Sequence, residues 1–331
     1  MIRSDLQPAL VALLADHRLR ATRTRLVAHL ECEVHRVSVR APDGSVRDLV
    51  LRIHSADSTD AVPIEAELAW LQALAEDGVH VPRPLADVEG RRVHVWRARA
   101  DEAPRLAVLL EWLPGRMHDR GLTPARLHRV GVLTARLHRV GARLAAEGRL
   151  AGGRIAYMSD LAGWAGGAHD ATPVLAPRLR MLARRVAGRL VDELAVTSAG
   201  NGAPGFVHGD LHPWNLVFWR DVAGAIDFSD CGWGPIALDF ASTLQYLRHP
   251  LAHNHDHRAQ YARLHGALLE GYASLLALPA DIERQIDLHV VARMFGTLDW
   301  ILQDWPRLDH RAWGPGFLRG VEDIFEAHLA R

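Results

Sequence analysis

The residues best suited to carry out chemistry lie in two short segments, Phe206–Asn215 and Gly224–Asp230. They place an acid at Asp210, an amide at Asn215 and a second acid at Asp227. An acid can orient a hydroxyl group, and an amide oxygen with a second carboxylate can hold magnesium on a nucleotide triphosphate. These residue types at this spacing therefore indicate a phosphoryl-transfer site.

Short strands are expected to position these groups. Three strands are predicted at 205–207, 215–219 and 225–226, with a turn over 220–224 before the last. We expect this loop and hairpin to bring Asp210 close to Asp227, although the two are distant in the sequence.

The two segments resemble the catalytic region of the aminoglycoside phosphotransferase and choline kinase superfamily. The family pattern H-x-D-x-x-x-x-N falls on His208, Asp210 and Asn215, and the metal-binding I-D-F/W pattern falls on 226–228. The branch most similar over 230–241 is the one that contains stress-response kinase A and type II homoserine kinases. A chance Asp–Asn spacing beside a buried hairpin is the alternative, and the histidine, the second acid and the strand context count against it.

The resemblance implies an ATP- and Mg²⁺-dependent phosphotransferase with an alcohol group as acceptor. In that interpretation Asp210 is catalytic, and Asn215 and Asp227 bind the metal. Asp239, at the start of a predicted helix, resembles the family aspartate that braces the catalytic loop.

The resemblance also implies an α+β, two-lobed, protein-kinase-like fold. Residues 1–113 would form an N-lobe with a nucleotide-binding antiparallel sheet and one helix, and residues 114–331 a mainly helical C-lobe. The hydrophobic pattern predicts the same order. Helices are expected over residues 1 to about 20, over 63–76 and from 123 onward, with strands at 24–30, 34–40, 48–54, 92–98 and 106–111. Residues 150–173, rich in Gly and Ala, are predicted to be a flexible connection.

The chain contains no lysine, so every strongly basic side chain is an arginine. This excludes a Walker A loop, a pyridoxal phosphate Schiff base and a lysine general base. Protein kinases hold the nucleotide phosphates with a strand lysine, and the resemblance places Arg52 at that position. Arginine is a suitable replacement because its planar fork binds phosphate oxygens at two points. The alternative is a solvated arginine that faces outward from a half-exposed strand.

A glutamate on the predicted helix 63–76 is expected to pair with Arg52, as in kinases. The candidates are Glu65 and Glu67. The apolar face of this helix contains Ile64, Leu68, Leu71 and Ala75. Glu67 lies closer to the edge of that face than Glu65 does, and the family pattern E-L-x-W-L also selects it. The alternative is a solvated charge on an exposed helix.

Further nucleotide contacts are implied by resemblance. The segment Leu110–Gly115 resembles the family's hinge, where backbone groups of Glu111 and Leu113 would meet the adenine. His212 follows the catalytic acid by two residues, where protein kinases have a phosphate-contacting lysine, and is expected to aid the transferring phosphate. His208 would brace the loop. A metal hydrolase is the alternative for these two histidines, but the sequence has no second ligand cluster at a convincing spacing.

Two other clusters permit more than one interpretation. The first consists of Asp299, Asp304 and Asp309. It either lines a site for a cationic substrate or belongs to solvated helix faces. The second consists of His249, His253, His255 and His257. It favours a solvent-exposed loop over a metal site because Pro250 interrupts it.

The composition excludes several partners. A formal net charge of +0 gives no reason to expect nucleic acid or an anionic membrane surface. No long apolar run and no signal-peptide pattern occur in the sequence, so a cytoplasmic location is expected. Cys32 and Cys231 are too few for a disulfide framework or a four-cysteine zinc site.

The acceptor stays open at this point. A small molecule such as an amino alcohol, homoserine or an aminoglycoside is favoured, and a protein Ser/Thr is the alternative. The missing lysine and a glycine-poor turn at 30–34 instead favour a nucleotide-binding regulator without transfer activity. The intact Asp210, Asn215 and Asp227 oppose that interpretation.

Overall fold

The structure is a computed structural model that describes residues 7–29, 32–56, 60–99, 101–118, 120–150, 153, 159–200, 204–249, 256–303 and 308–331. Two compact units are present. One lies within 1–115, 143–154 and 224–226, and the other lies within 116–142, 155–223 and 227–331.

The N-terminal unit is built on an antiparallel sheet. Its elements are α1 (Gln7–Asp16), β1 (Arg20–His29), β2 (Glu33–Arg40), β3 (Val46–Ile53), α2 (Val62–Glu76), β4 (Val93–Trp96) and β5 (Arg105–Glu111). The strand order is β1-β2-β3-β5-β4. Alternate residues of β2 and β3, such as Val37, Val39, Leu49 and Leu51, are fully buried in a core shared with α1. This confirms the predicted antiparallel sheet.

Helix α2 follows its predicted boundaries closely. A proline lies in its first turn, where the missing N–H costs nothing, and the helix ends at Glu76, with Asp77 as its C-cap before Gly78, whose φ is +72°. Ile64, Leu68 and Leu71 are buried as the helical spacing predicted.

The remainder of the chain is mainly helical. Its elements are α3 (Pro124–Ala146), α4 (Leu161–Gly166), α5 (Pro177–Gly200), β6 (Gly205–Val207), β7 (Leu216–Trp219), β8 (Val222–Ala225), β9 (Gly232–Gly234), α6 (Ala237–Arg248), α7 (Tyr261–Ala273), α8 (Ile282–Gln303) and α9 (Leu308–Leu329). An antiparallel sheet followed by helices with inserted short strands confirms the predicted α+β, kinase-like fold class.

Two local predictions were wrong in detail. The last strand of the hairpin is β8 at 222–225, because Arg220 adopts a left-handed φ of 53° and reverses the chain early. Residues 150–173 contain the helix α4, whose start is capped by the Asp160 carboxylate on the N–H of Gly163 at 2.8 Å. Residues 151–152 and 154–158 of that segment lie outside the described residues.

The histidines at 249 and 257 were also predicted wrongly. His257 is 2% exposed, and His249 is half-buried, so neither lies in a solvent-exposed loop. Burial, followed by the charges of Arg248 and Arg258, lowers the pKa of His249 to about 4. His253 and His255 lie outside the described residues.

Helices α3 and α7 approach each other through two glycines. A Cβ atom at Gly131 would lie 2.0 Å from the Leu268 carbonyl oxygen, and one at Gly271 would lie 2.0 Å from the His128 carbonyl oxygen. Real Cβ atoms do not approach backbone oxygens this closely, so any larger residue must push the helices apart.

Replacing Gly271 by Ala is therefore expected to destabilise the protein by about 1–3 kcal/mol, because the added methyl group overpacks a backbone contact. The free energy of unfolding from denaturant titration measures this. The matched control is Gly266→Ala on the same helix, where an added Cβ meets nothing within 4 Å. The control should gain up to about 1 kcal/mol from helix propensity. Equal effects of the two substitutions would contradict the close-packing explanation.

Candidate active site

The catalytic loop is anchored to a buried carboxylate on α6. Asp239 is 0% exposed and accepts hydrogen bonds from the N–H groups of His208 (3.0 Å) and Gly209 (2.8 Å). Its third partner is Nε2 of His138 at 2.9 Å, whose other nitrogen contacts the Tyr272 hydroxyl at 3.1 Å. Burial alone would raise the pKa of Asp239, but the partners, His138 first, hold it below the usual value. An ionised carboxylate therefore fixes the start of the loop.

Two further residues of α6 hold the same loop. Ser242 and Thr243 follow Asp239 by three and four positions, so all three side chains lie on one face of the helix. The Ser242 hydroxyl lies 2.8 Å from the Leu238 carbonyl of its own helix and 3.2 Å from the Gly209 carbonyl, and Thr243 donates to the Leu211 carbonyl at 2.6 Å. One face of the helix thus contacts the loop backbone between residues 208 and 211.

Glycine is required at position 209. Its φ is +82°, and a Cβ atom there would lie 2.5 Å from the Asp230 carbonyl oxygen. The ring of His208 packs 4.5 Å from that of Phe228, measured between centroids. The loop that carries Asp210 therefore packs against the segment that follows Asp227, and the pairing of β6 with β9 brackets both.

Three side chains hold the carboxylate of Asp210. Its Oδ1 accepts a 2.6 Å bond from Arg293, while Oδ2 lies 3.2 Å from Nε2 of His212 and 3.3 Å from Nδ2 of Asn215. Burial alone would raise the pKa of Asp210, but His212 and Arg293 hold that pKa well below the usual range. The side chain is 26% exposed, so an ionised oxygen remains accessible to a substrate hydroxyl.

The tautomer of His212 follows from its contacts. Its Nδ1 accepts the N–H of Trp214 at 3.1 Å and caps the short turn Pro213–Asn215. A neutral ring then carries its proton on Nε2, which donates to Asp210. The expected contact of His212 with a transferring phosphate stays a prediction.

Asn215 and Asp227 offer oxygen ligands. Asn215 donates its amide nitrogen to the Asp210 carbonyl at 2.9 Å, which leaves its amide oxygen as the ligand atom. Asp227 is exposed and accepts a 2.9 Å bond from Ser229. Its φ of 60° lies in the left-handed region, which costs a non-glycine residue about 1–2 kcal/mol. Such strained residues concentrate at functional sites.

The predicted pair of Arg52 and Glu67 is present in the N-terminal unit. Nη2 of Arg52 lies 2.7 Å from each carboxylate oxygen of Glu67, and the two side chains are 6% and 5% exposed. Glu65, the other candidate, is exposed. Arg52 stands between Val34 and Val108 on the central strand β3, and its burial shows that the side chain does not face solvent. Its nucleotide role stays a proposal.

At the end of β5, two backbone N–H groups are already used in hydrogen bonds within the N-terminal unit. The N–H of Glu111 donates to the Arg83 carbonyl at 2.8 Å, and the N–H of Trp112 donates to the Asp48 carbonyl at 3.1 Å. The carboxylate of Glu111 is 44% exposed. The roles expected of Glu111 and Leu113 therefore concern the carbonyl of the first and the N–H of the second.

Sequence reasoning identified Asp239 but missed Arg293, Gln245 and the contacts that Ser242 and Thr243 make with the loop. Arg293 stands in the run Val290–Phe295, where the other five side chains are apolar. A guanidinium group in such a run must pair with an anion or other acceptors, and that signal could have identified it.

Of the three acids near the C-terminal end, only the side chain of Asp299 lies within the described residues. Asp299 accepts a 2.9 Å bond from the Trp164 indole and lies 3.7 Å from His169. Burial raises its pKa. It ties α4 to α8, whereas Asp304 and the side chain of Asp309 lie outside the described residues.

The sheet, the helices and this loop define the class of kinase-like phosphotransferases. The family model of the phosphotransferase enzyme family matches residues 33–278, which is most of the chain. The chain therefore belongs to that family. The match confirms the enzyme class expected from the sequence, a phosphotransferase with an alcohol group as acceptor, and does not select a branch of the family.

Solved structures are similar over nearly the whole chain. A microcompartment-associated aminopropanol kinase is 26% identical with a TM-score of 0.75, and the match covers 97% of each chain. An amicoumacin kinase, solved with AMP-PNP and Ca²⁺, is 18% identical with a TM-score of 0.74 over 97% of this chain and 94% of its own. At that identity the second likeness shows the fold alone.

A curated relative is an uncharacterized protein of Deinococcus radiodurans. It is 32% identical over 197 residues, which cover 59% of this chain and 55% of that protein. The chain thus spans about half the length of this curated relative. None of the helices in the described part of the chain is long and apolar enough to cross a membrane.

Proposed function

We propose that this protein transfers a phosphoryl group from ATP to a hydroxyl of a small molecule, with magnesium as the metal. The observation that carries the proposal is the hydrogen-bonded pair of Asp210 and Asn215 on a loop fixed by Asp239. This arrangement sets a hydroxyl-orienting carboxylate and an oxygen ligand side by side, as phosphoryl transfer requires.

In the proposed reaction, Asp210 accepts the hydrogen bond of the acceptor hydroxyl and takes its proton as the new P–O bond forms. The bond between the γ-phosphorus and the β,γ-bridging oxygen of ATP breaks in the same step, and ADP leaves. The transition state of phosphoryl transfer is loose, so positioning contributes more than base strength. A carboxylate whose pKa is held low suits that task, because it stays ionised while it orients the hydroxyl. His212 keeps Oδ2 in place through its Nε2 proton.

The ligand atoms proposed for the metal fit magnesium. Mg²⁺ takes oxygen ligands and is commonly held by one or two carboxylates together with substrate phosphates. Asn215 would supply its amide oxygen and Asp227 its exposed carboxylate. When bound, magnesium would neutralise charge on the phosphate oxygens.

The nucleotide contacts are proposed from the N-terminal unit. Arg52 would hold the α- and β-phosphates, and Glu67 would fix its guanidinium group. The carbonyl of Glu111 and the N–H of Leu113 would meet the adenine edge. His212, in the C-terminal unit, would contact the transferring phosphate.

The acceptor class is proposed from a structural neighbour. The aminopropanol kinase, at 26% identity, supports an amino alcohol or a similar small hydroxyl compound. Homoserine-like and aminoglycoside-like compounds are the next candidates, and a protein Ser/Thr is the alternative acceptor.

A phosphate-transfer screen tests the proposal. The purified protein with ATP and Mg²⁺ would be offered amino alcohols, homoserine analogues, aminoglycosides and a Ser/Thr protein substrate, and phosphorylated products would be detected by mass spectrometry. We expect a small-molecule product. Nucleotide binding without transfer to any acceptor would favour the regulator, and transfer to the protein alone would refute the small-molecule acceptor.

Replacing Arg52 by Lys is expected to raise the KM for ATP about tenfold, because the chain around Glu67 is built for a guanidinium group and a lysine ammonium is a point charge with fewer donors. Steady-state kinetics with varied ATP would measure this. The matched control is Arg91→Lys, an exposed arginine paired with Asp87 in the same unit. An unchanged KM in the Arg52 variant would remove Arg52 from the nucleotide site.

A further inference from the structure

Arg293 of α8 contacts the catalytic loop with three different nitrogens. Its Nη2 donates to Asp210 Oδ1 at 2.6 Å, and its Nη1 donates to the Gly209 carbonyl at 2.9 Å. Its Nε donates to Oε1 of Gln245 at 3.0 Å. One planar group therefore binds the carboxylate, the preceding backbone and helix α6 at once.

A second set of bonds fixes the orientation of Arg293. Gln245 is 3% exposed and donates its amide nitrogen to the Thr297 hydroxyl at 3.0 Å, so its oxygen must face the guanidinium. Thr297 lies one turn beyond Arg293 on α8 and donates to the Arg293 carbonyl at 3.3 Å. The amide of Gln245 cannot rotate without losing both bonds.

The environment of Arg293 makes its placement costly. The side chain is 17% exposed, and its neighbours on α8 include the fully buried Met294 and Phe295. Moving a guanidinium group out of water is unfavourable unless its donors are satisfied. The bonds from Arg293 to Gly209 and Gln245 are sufficient to connect the loop to α6. The third bond, to the Asp210 carboxylate, is not needed for that connection.

We propose that Arg293 is the positioning residue that sets the orientation of the Asp210 carboxylate toward the acceptor hydroxyl. This assignment rests on the proposed function. Arg293 holds Oδ1, and His212 and Asn215 hold Oδ2. The carboxylate therefore cannot rotate about its Cβ–Cγ bond without losing these contacts. Arg293 lies beyond residues 33–278, the part that matches the family model.

The geometry distinguishes arginine from lysine at this position. The guanidinium group presents donors in a fixed fork, whereas an ammonium group on a flexible stem is a point charge. Lysine could neutralise Asp210 but could not bind Gly209 and Gln245 in the same plane. A role in positioning therefore requires arginine, whereas a role in charge neutralisation alone would accept lysine.

The test compares four variants with the wild type in full-length protein. Arg293→Met and Arg293→Lys probe the fork, Gln245→Met removes the group that orients it, and Arg248→Met is the matched control. Arg248 also links α6 to α8, through a 2.9 Å pair with Asp287. The measurements are kcat, the KM of the acceptor found in the screen, ATP affinity and the thermal midpoint Tm.

We expect Arg293→Met to lower kcat about 10²-fold, as a misplaced reacting group does, with ATP affinity changed less than about threefold. Arg293→Lys should recover little of the lost kcat. The kcat of Gln245→Met should lie between that of Arg293→Met and that of the wild type. Arg248→Met should keep the wild-type kcat. If Arg293→Met fails to fold, the kcat values of Arg293→Lys and Gln245→Met test the positioning role instead.

Three results would overturn the assignment. The first is an unchanged kcat in Arg293→Met, the second is full recovery by lysine, and the third is a rise in acceptor KM with kcat unchanged. Each would appear with an active wild type, and the proposed function would stand. If the wild type transfers phosphate to no acceptor, the proposed function fails and the positioning role fails with it.

Discussion

Asp210→Asn is expected to lower kcat by about 10²–10⁴-fold, the contribution of a positioned acid–base group. The amide keeps the shape of the carboxylate, and its oxygen can still accept from Arg293. Its nitrogen loses the bonds from His212 and Asn215, so the thermal midpoint Tm is measured beside kcat. The amide cannot take up the proton of the acceptor hydroxyl. ATP binding should persist, since the phosphates are assigned to other residues. Steady-state transfer assays and an ATP thermal shift would measure both quantities.

The matched control for this substitution is Asp221→Asn. Asp221 lies in the turn between β7 and β8, is 89% exposed and pairs with Arg129 at 2.9 Å. Its loss should leave kcat unchanged, because exposed ion pairs contribute little. If Asp210→Asn keeps the turnover of this control, Asp210 is not the hydroxyl-orienting group.

Asp227→Gly is expected to remove at least about 10²–10³-fold of kcat/KM by deleting a metal ligand. The same substitution should not destabilise the protein, because glycine adopts the φ of 60° without the cost of about 1–2 kcal/mol that a side chain incurs. Asp227→Ala would lose the carboxylate and keep the left-handed backbone strain. Turnover at varied magnesium concentration measures the loss of the ligand, and denaturant unfolding measures the change in backbone strain.

Arg220→Gly provides the control for backbone strain. Arg220 is exposed and has a φ of 53°, so the substitution relieves the same conformation in the hairpin turn without touching a proposed ligand. Arg220→Gly should keep wild-type turnover, and, like Asp227→Gly, it should not lower the free energy of unfolding. Near-normal magnesium-dependent turnover in Asp227→Gly would refute the metal assignment.

The pairing of Arg52 with Glu67 shows what a local pattern can predict. The spacing of apolar residues on α2 identified the buried face, and that face selected Glu67 over Glu65. The choice of Arg52, and the expectation that a glutamate of the helix pairs with it, came from the resemblance to kinases. The helical spacing is a short-range pattern, so it survives in any fold that buries the helix against the sheet.

The predictions of secondary structure and burial that were wrong concern segments too short to show a hydrophobic periodicity, or a contact with distant residues. Four-residue strands such as β8 depend on a single left-handed residue, Arg220, that the sequence does not mark. The helix α4 has six residues, too few for a hydrophobic period, and its cap at Asp160 resembles an ordinary loop acid. The burial of His257 depends on neighbours that are distant in the sequence.

The sequence by itself determined the fold class, and it supplied the proposed catalytic groups and the proposed use of arginine in place of lysine. These properties reside in residue identity, short spacing and hydrophobic period. Only the tertiary structure showed which backbone groups of the catalytic loop Asp239 binds, and that Arg293, 83 residues from Asp210, holds its carboxylate. Such contacts depend on how whole helices pack, because a side chain finds distant partners only after the elements that carry it have docked.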